Sequence, residues 1–532
     1  MMRLSFIALA SVAMAATPAH AQRVQVSPYI ELGQVLTVDL NDGDTLTYSS
    51  VAAGVDASVS TRRVTVSASV EYERRIAWND DLSDSDVVSG IVRGTALVAP
   101  GLSVEGGALA TRTRQDIRGE APGLLGGNAP NVSQLYAAYV GPSYARRFGD
   151  LDVKASYGLG YVKVEVPDVP AFLPGQAPLD YYDDATSHLA TASVGTRAGT
   201  YAPFGMTLSG AITREYAGQL DQRYEGQFLR FDIVQPISRE LAAVAGVGYE
   251  RIEISQRDAL VDGAGNIVLD GNGRFVTDPA SPRRSAFETD GIFWDAGLLW
   301  RPSSRTTVEA RVGRRYDSWT YIGSASHQTG PGSGVQVGVY DAVQTYGRSL
   351  LNGLRQVPLE FDGGSSDPFS DNFNGCVFSS GSTGVGGCLN GVLQAATTSS
   401  FRARGVDAVY AISYGPTRVG VGAGYANRSF YAPDNIPGIV VTGLDDEAFY
   451  AQAFGSYQID RVSAVNGTLF LNRYSTSLPL SPDVWNWGAQ GSYYRSFGRL
   501  RAQASAGIYG SEVENIANDA SFQAFLGLGY RF

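Results

Sequence analysis

The last twelve residues of the chain, 521–532 (SFQAFLGLGYRF), alternate between two kinds of side chain. The intervening positions are small or polar except for Phe525. The apolar series consists of Phe532, Tyr530, Leu528, Leu526, Ala524 and Phe522. A period of two predicts a β-strand between two environments, and aromatic rings at the ends of an apolar face are typical of a strand that crosses a bilayer. An amphipathic strand of a soluble β-sandwich would show the same alternation.

Similar alternating segments recur along the chain, for example at 64–76, 151–161 and 402–414. One face of each segment is apolar and aromatic, whereas the other face carries Gly, Ser or charged residues. A soluble sandwich would have to bury every apolar face between two sheets. So many segments of this kind favour a closed sheet with lipid outside and water inside.

The connections between these segments are of two kinds that alternate along most of the chain. Tight turns such as 99–101 and 148–150 are followed by longer polar stretches such as 116–131 and 166–185. Short periplasmic turns and long outer loops are the pattern of outer-membrane barrels. The sequence therefore predicts an all-β protein, a transmembrane antiparallel up-and-down β-barrel of about 20 strands (roughly 18–22) that fills residues 22–532.

The stretch 322–400 interrupts this regularity. We place one strand at 305–321, and 335–346 has the pattern of another, but accepting it alone would break the even strand number of single-chain bacterial barrels. Residues 347–356 (GRSLLNGLRQ) have the pattern of a short helix that could fold into the lumen. We therefore expect a long loop or partial plug at 322–400.

Residues 1–21 have the features of a cleaved signal peptide. Arg3 supplies the positive charge, 6–16 is apolar, and Ala19-His20-Ala21 is a small-x-small cleavage site. An uncleaved anchor is the alternative, but the apolar run is too short to span a bilayer as a helix. The mature chain should begin at Gln22, and we expect it in the bacterial outer membrane, in contact with lipid.

Charge and motifs restrict the function. The formal net charge of −11 argues against nucleic-acid binding, which requires a basic surface. Beyond residue 21, only His188 and His327 remain as histidines, and no zincin, GxSxG or P-loop motif occurs. The acidic stretch 79–86 could hold Ca²⁺ weakly, although a solvated loop explains it as well. We expect no enzyme activity, no cofactor and no metal site.

Charged side chains of the strands should point into the lumen, because an Arg or Lys facing lipid at the bilayer midplane costs about 2–4 kcal/mol. The lumen-lining candidates are Glu71, Glu73, Arg75, Asp152, Lys154, Glu309, Arg311 and Arg315. They predict either a mixed-charge path for a hydrophilic solute or a set of salt bridges that only stiffens the wall. Trp294 and Trp300 should form interface belts on the lipid side; inward sugar-stacking platforms are the alternative.

The two cysteines, Cys376 and Cys388, lie in a Gly- and Ser-rich segment. In an exported chain a disulfide between them is the expected state. A free reactive pair is the alternative.

The stretch 292–316 (IFWDAGLLWRPSSRTTVEARVGRRY) resembles a hairpin of large outer-membrane barrels encoded beside exopolysaccharide and exosortase-type loci. The resemblance implies a role in envelope or polysaccharide export and gives no catalytic residues. The final strand also resembles the closing strand of Gram-negative barrels, which implies that Phe532 is read by the barrel-assembly machinery.

Three functions follow as hypotheses. The first is a channel that passes or exports a hydrophilic solute, for which polysaccharide is one candidate. The second is a structural or adhesive barrel with a blocked lumen and functional surface loops. The third is an outer-membrane hydrolase, which would need His188 or His327 in a catalytic group at the rim.

Overall fold

The computed structural model describes residues 23–78, 84–114, 132–165, 183–270, 274–359, 376–378, 386–388, 399–433, 444–477, 482–514 and 517–532. The predicted signal peptide at 1–21 lies outside these residues, as does most of the acidic stretch 79–86. In the described part, no helix has the length and apolar character needed to cross a membrane.

Strands make up most of the described chain. They are β1 (Arg23–Asp39), β2 (Thr45–Ser60), β3 (Val64–Ala77), β4 (Ser85–Ala99), β5 (Leu102–Arg114), β6 (Val132–Phe148), β7 (Leu151–Glu165), β8 (Asp184–Thr196), β9 (Gly205–Ala217), β10 (Arg223–Pro236), β11 (Leu241–Gln256), β12 (Arg284–Ser303), β13 (Thr306–Arg315), β14 (Ser318–Gly330), β15 (Ser333–Gln344), β16 (Cys376–Phe378), β17 (Gly386–Cys388), β18 (Ser400–Tyr414), β19 (Thr417–Tyr431), β20 (Asp445–Gln458), β21 (Ser463–Thr476), β22 (Val484–Phe497), β23 (Leu500–Val513) and β24 (Ala517–Arg531). The one α-helix of the described residues is α1 (Tyr346–Gln356), and a 3₁₀ turn covers Gln219–Asp221.

The sheet is closed. Each wall strand pairs antiparallel with its neighbours in sequence, with β15 followed by β18. The first strand, β1, pairs with both β2 and the last strand, β24. The predicted up-and-down barrel is therefore confirmed, with 22 strands rather than about 20.

Alternation along the strands divides the side chains between two surfaces. Leu32 and Leu526 are 57% and 68% exposed on the outside, whereas Glu31 and Phe525 are 8% and 2% exposed on the inside. The outward series of β24 is the apolar series predicted from the sequence. An apolar exterior on a closed sheet is the arrangement required in lipid, where every backbone polar group must be bonded within the protein.

The aromatic belts lie on the lipid side as predicted. Trp294 and Trp300 of β12 are both exposed on the outer face. The ring of Trp294 meets that of Trp319 on β14 edge to face at 6.1 Å. The alternative of inward sugar-stacking platforms is therefore wrong for these two residues.

The two ends of the barrel differ. At the end that holds both Arg23 and Phe532, every connection has eight residues or fewer, the longest being 197–204. We call this the short-turn end. The opposite, long-loop end carries the connections 115–131, 166–183, 257–283 and 345–399. In outer-membrane barrels the short turns face the periplasm.

The prediction of one strand at 305–321 is wrong. A tight turn at Tyr316 and Asp317, with φ of 53° and 55°, separates β13 from β14. Two consecutive positive φ values are typical of a type I′ hairpin turn, which normally carries Asn or Gly. Because Tyr-Asp lacks that signature, the turn left no signal in the sequence.

The correction also shortens the predicted loop or plug. Since β14 and β15 belong to the wall, the long connection begins at residue 345 rather than at 322. The strand pattern at 335–346 is confirmed as β15, and the added turn at Tyr316 keeps the strand number even.

The seam between β14 and β15 is held partly by side chains. Their ladder runs only from Gly323 opposite Val339 to Gly330 opposite Ser333. Nearer the long-loop end, Arg402 of β18 donates to Ser318 Oγ at 2.6 Å and pairs with Asp341 at 2.7 Å. The guanidinium thus bridges three strands where the backbone ladder has stopped.

The turn at Tyr316 gives a first prediction. Replacing Asp317 by Gly removes the steric cost of a Cβ at positive φ, so the free energy of unfolding should rise by about 0.5–1 kcal/mol. Urea unfolding in lipid vesicles, followed by the heat-modifiable mobility of folded barrels on gels, measures the change.

The matched control is Asp150→Gly, in the β6–β7 turn, because Asp150 does not have a positive φ. This control should be neutral or destabilising. An equal gain in both variants would show that relief of backbone strain at Asp317 is not the cause.

Candidate functional site: the inner wall and its helix

The predicted lumen residues of β3 lie on the inner face. The register places Glu31 opposite Ala52 and Ala52 opposite Glu73, so Glu73 shares the inner face with Glu31. Glu71 and Arg75 lie two positions to either side of Glu73 and share this face. Alternation likewise places the other five candidates on the inside.

The β3 residues are bonded within the wall. Arg75 Nη2 lies 2.7 Å from Glu73 Oε2, and both side chains are almost fully buried. The Arg75 guanidinium also stacks over the Tyr48 ring at 5.4 Å. Tyr29 donates its hydroxyl to Glu71 Oε2 at 2.7 Å. These contacts are consistent with the hypothesis that salt bridges on the inner face stiffen the barrel wall.

A larger arginine–carboxylate network crosses β10 to β13. Arg230 pairs with Asp232 at 2.8 Å and with Asp295 at 2.6 Å. Arg311 pairs with the same two carboxylates, each at 3.0 Å, and with Glu309 at 2.6 Å. Three carboxylates thus surround two guanidinium groups, so the network is strongly bonded but nearly neutral.

Arg315 continues the polar wall toward the long-loop end. It pairs with Glu250 at 2.6 Å and lies 4.9 Å from the centre of the Phe293 ring and 4.7 Å from that of Tyr316. A guanidinium between aromatic faces and a carboxylate keeps its position well. Arg230, Asp232, Glu250 and Asp295 were not among the predicted residues, although each lies on an alternating strand.

Asp152 and Lys154 lie on the inner face near the short-turn end, but apart from this network. Asp152 pairs with Arg197 at 3.3 Å, and the Arg197 side chain is 65% exposed. Lys154 is exposed to the lumen. Of the eight candidates, the structure brings Glu309 and Arg311 into one network and Glu73 and Arg75 into one pair.

The helix α1 lies inside the barrel, which is the position that the sequence left open for the helical pattern at 347–356. Its residues Leu350, Leu351 and Leu354 are buried in a cluster with inward side chains of β4 to β7, including Leu135 and Val162. This part of the wall is near the long-loop end. The helix therefore narrows the lumen on that side.

Glycines in β7 make room for α1. A Cβ on Gly160 would lie 2.3 Å from Leu351 Cδ1, and a Cβ on Gly158 would lie 2.5 Å from Arg355 Nη2. Both glycines are on the inward face of β7. The wall is thus shaped to receive this helix.

Polar contacts hold both ends of α1. At the start, the Arg348 N–H donates to Thr345 Oγ1 at 3.3 Å, and the Arg348 guanidinium lies 3.9 Å from the centre of the Tyr224 ring. At the end, Arg93 donates to the carbonyl oxygen of Val357. Arginines from the helix and from the wall therefore fix α1 across several strands.

Both histidines lie on the outer face by alternation. His188 Nδ1 is 2.7 Å from the Tyr157 hydroxyl, and His327 Nδ1 is 2.7 Å from Thr306 Oγ1. Both partners are hydroxyl groups on the outer face, and neither contact includes the carboxylate that orients the histidine of a Ser-His-Asp group. The simplest form of the hydrolase hypothesis therefore has no support in the geometry.

The remaining predicted residues lie within the long connection 345–399 and directly after β24. Cys376 and Cys388 are opposite each other in the ladder of β16 and β17, and the disulfide stays a prediction. Phe532 is exposed at the short-turn end, where its ring lies 5.1 Å from that of Tyr530. Its recognition by the assembly machinery also stays a prediction.

Comparison with known proteins gives structural likeness only. No family model and no curated protein matches the chain. Similar solved structures include the siderophore receptor PiuA of Acinetobacter baumannii, at 7% identity and a TM-score of 0.42, over 94% of this chain and 82% of that one. The alcaligin receptor FauA of Bordetella pertussis aligns at 12% identity and 0.39, over 97% and 77%. OpdQ of Pseudomonas aeruginosa aligns at 9% and 0.31, over 96% and 98%.

The geometry of the barrel indicates where the protein lies in the cell. A closed antiparallel sheet with an apolar exterior, aromatic belts and a polar interior is the structure of a bacterial outer-membrane protein. The outer surface therefore contacts membrane lipid, and the inner surface is the place to look for function.

The network gives a second prediction. Replacing Asp295 by Asn leaves Arg230 and Arg311 with one shared carboxylate fewer in a half-buried site, which should cost about 3 kcal/mol of unfolding free energy. Urea unfolding in vesicles measures the loss. The control is Asp152→Asn, whose exposed pair with Arg197 should contribute less than about 1 kcal/mol. Equal losses would argue against a wall-stiffening role.

Proposed function

We propose that the barrel is a channel for a hydrophilic solute and that α1 sets the width of its lumen. The observation that carries the proposal is the contrast between the two faces of one sheet. The outer face is apolar, whereas the inner face carries paired charges from Glu73 and Arg75 on β3 to Asp295 and Arg311 on β12 and β13. A solute that would be excluded by lipid finds hydrogen-bonding partners along this wall.

Size rather than charge should control passage through most of the lumen. The inward charges alternate in sign and are mostly paired, so the wall has no strong preference for anions or cations. The helix α1 lies near the long-loop end and is held by buried leucines. Its position supports a fixed constriction in that half of the lumen.

As the solute we propose a polysaccharide or a smaller sugar-like molecule on its way out of the cell. The support is the resemblance of 292–316, which forms the β12–β13 hairpin and the start of the following turn. Inside the lumen, the same hairpin places the Phe293 ring 4.9 Å from the Arg315 guanidinium. An apolar ring beside a fixed polar group is a common combination in small-molecule sites.

A barrel with a closed lumen is the second candidate. Leu350 and Leu354 of α1 are fully buried against the wall, which is the packing expected of a plug. Barrels of 22 strands also tend to be plugged. The long loops would then carry the function as a structural or adhesive surface.

Current across planar bilayers distinguishes the two candidates and forms the third prediction. The channel predicts that the wild-type mature protein conducts and that the double variant Leu350→Asp, Leu354→Asp conducts more. The reason is that two carboxylates without partners cannot stay in the apolar cluster, so α1 leaves the wall. The closed barrel predicts current only in the variant.

The matched control is Gln356→Asp, which places a carboxylate at an exposed position of the same helix. It should leave the wild-type current unchanged. Absence of current in all three proteins, with folding confirmed by gel mobility, would contradict a transport function.

A further inference from the structure

A small recess opens on the inner wall near the short-turn end, where the first and last strands meet. Its enclosed part measures only about 10 Å³, the space of one water-sized group, and it opens to the lumen. It is lined by Tyr29, Glu31, Asp56, Arg501, Gly529 and Arg531. These residues come from β1, β2, β23 and β24. The recess is far from α1 and faces the part of the lumen that opens on the short-turn side.

Most polar groups around the recess already have partners. Asp56 accepts from Ser69 Oγ at 2.9 Å and pairs with Arg531 at 3.2 Å. The Tyr29 hydroxyl donates a hydrogen bond to Glu71 Oε2. The carboxylate of Glu31 lies along β24, with Oε2 3.3 Å from where a Cβ of Gly529 would be.

Arg501 is different. Its Nε is buried and has no hydrogen-bond partner among the described residues. Its guanidinium stacks on the Tyr494 ring at 4.1 Å, so it is held in place by an aromatic face that cannot accept its N–H groups in the plane. Arg501 as a whole is half-buried, and Glu31 and Asp56 line the same recess. A buried N–H donor without a hydrogen-bond partner costs free energy unless another group completes the site.

We propose that the recess is a docking subsite for a carboxylate group of the solute, with Arg501 as its anchor. A carboxylate fits a guanidinium with two parallel hydrogen bonds. A phosphate is a poorer fit, because it would bring up to two negative charges next to the carboxylates of Glu31 and Asp56, whereas a carboxylate brings only one. This inference rests on the proposed channel and names the chemistry that its solute carries.

The position of the recess places the proposed subsite on the path of a solute that crosses the lumen. A solute entering from the short-turn side meets Arg501 before it reaches α1, because α1 lies near the long-loop end. Gly529 keeps the recess open, and any larger residue there would extend into it. A carboxylate could thus dock in the recess while the remainder of the solute stays in the lumen.

Saturation-transfer NMR on the folded mature protein in detergent micelles tests the subsite and forms the fourth prediction. The probes are sodium acetate, glucuronate and neutral glucose. Acetate and glucuronate should bind and glucose should bind much more weakly. In Arg501→Gln the Kd for glucuronate should rise at least about tenfold, which is the loss expected for a hydrogen bond to a charged group.

Two further variants separate the subsite from general charge effects. Gly529→Val retains Arg501 but fills the recess, so it should weaken glucuronate binding to a similar extent. Lys154→Gln removes the same charge elsewhere on the inner wall and should bind as the wild type does. Gel mobility confirms folding of each variant.

The outcomes are distinct. Stronger binding of glucuronate than of acetate supports a sugar acid as the solute, and equal binding supports a simple carboxylate in the same recess. Unchanged binding in Arg501→Gln, or glucose binding equal to that of glucuronate, overturns the proposal. The NMR test measures ligand binding and does not depend on current across a bilayer. A protein that binds glucuronate but carries no current would refute the channel alone. A protein that carries current but does not bind glucuronate would refute the subsite alone.

Discussion

Closure of the sheet is the constraint on which the rest of the structure depends. Inside a bilayer every backbone N–H and C=O must be bonded within the protein, because lipid offers no partner. The ladder between β1 and β24, from Tyr29 opposite Arg531 to Asp39 opposite Ser521, removes the last two free edges. Once the sheet is closed, alternation assigns each side chain either to lipid or to the lumen.

Local patterns of the sequence identify the strands and the side of the sheet on which each side chain lies. The period of two predicts the wall and the inward positions of Glu73, Arg75 and Arg311, and the pattern at 347–356 predicts a short helix that could enter the lumen. The turn at Tyr316 and Asp317 could not be found in this way. Its backbone has positive φ at residues that are not Gly or Asn, so the pattern of 305–321 shows no break between β13 and β14.

Partners could not be predicted from a single strand. Arg311 is bonded to Asp295 on the neighbouring strand and to Asp232 on a strand 79 positions earlier in sequence. The stagger of a closed barrel decides which inward residues meet, and this stagger follows from all the ladders together. The recess around Arg501 is the extreme case, because its lining combines residues from both ends of the chain.

The inner wall therefore uses arginine in two ways. Where carboxylates surround it, as around Arg230 and Arg311, the charges cancel and the wall gains stiffness without attracting ions. Where an aromatic ring holds it, as with Arg501 on Tyr494, the Nε–H has no hydrogen-bond partner among the described residues, which is the basis of the proposed subsite. Since α1 and Arg501 lie toward opposite ends of the lumen, the proposed channel would select by size and by charge at separate places. A mutation can then alter one form of selection without changing the other.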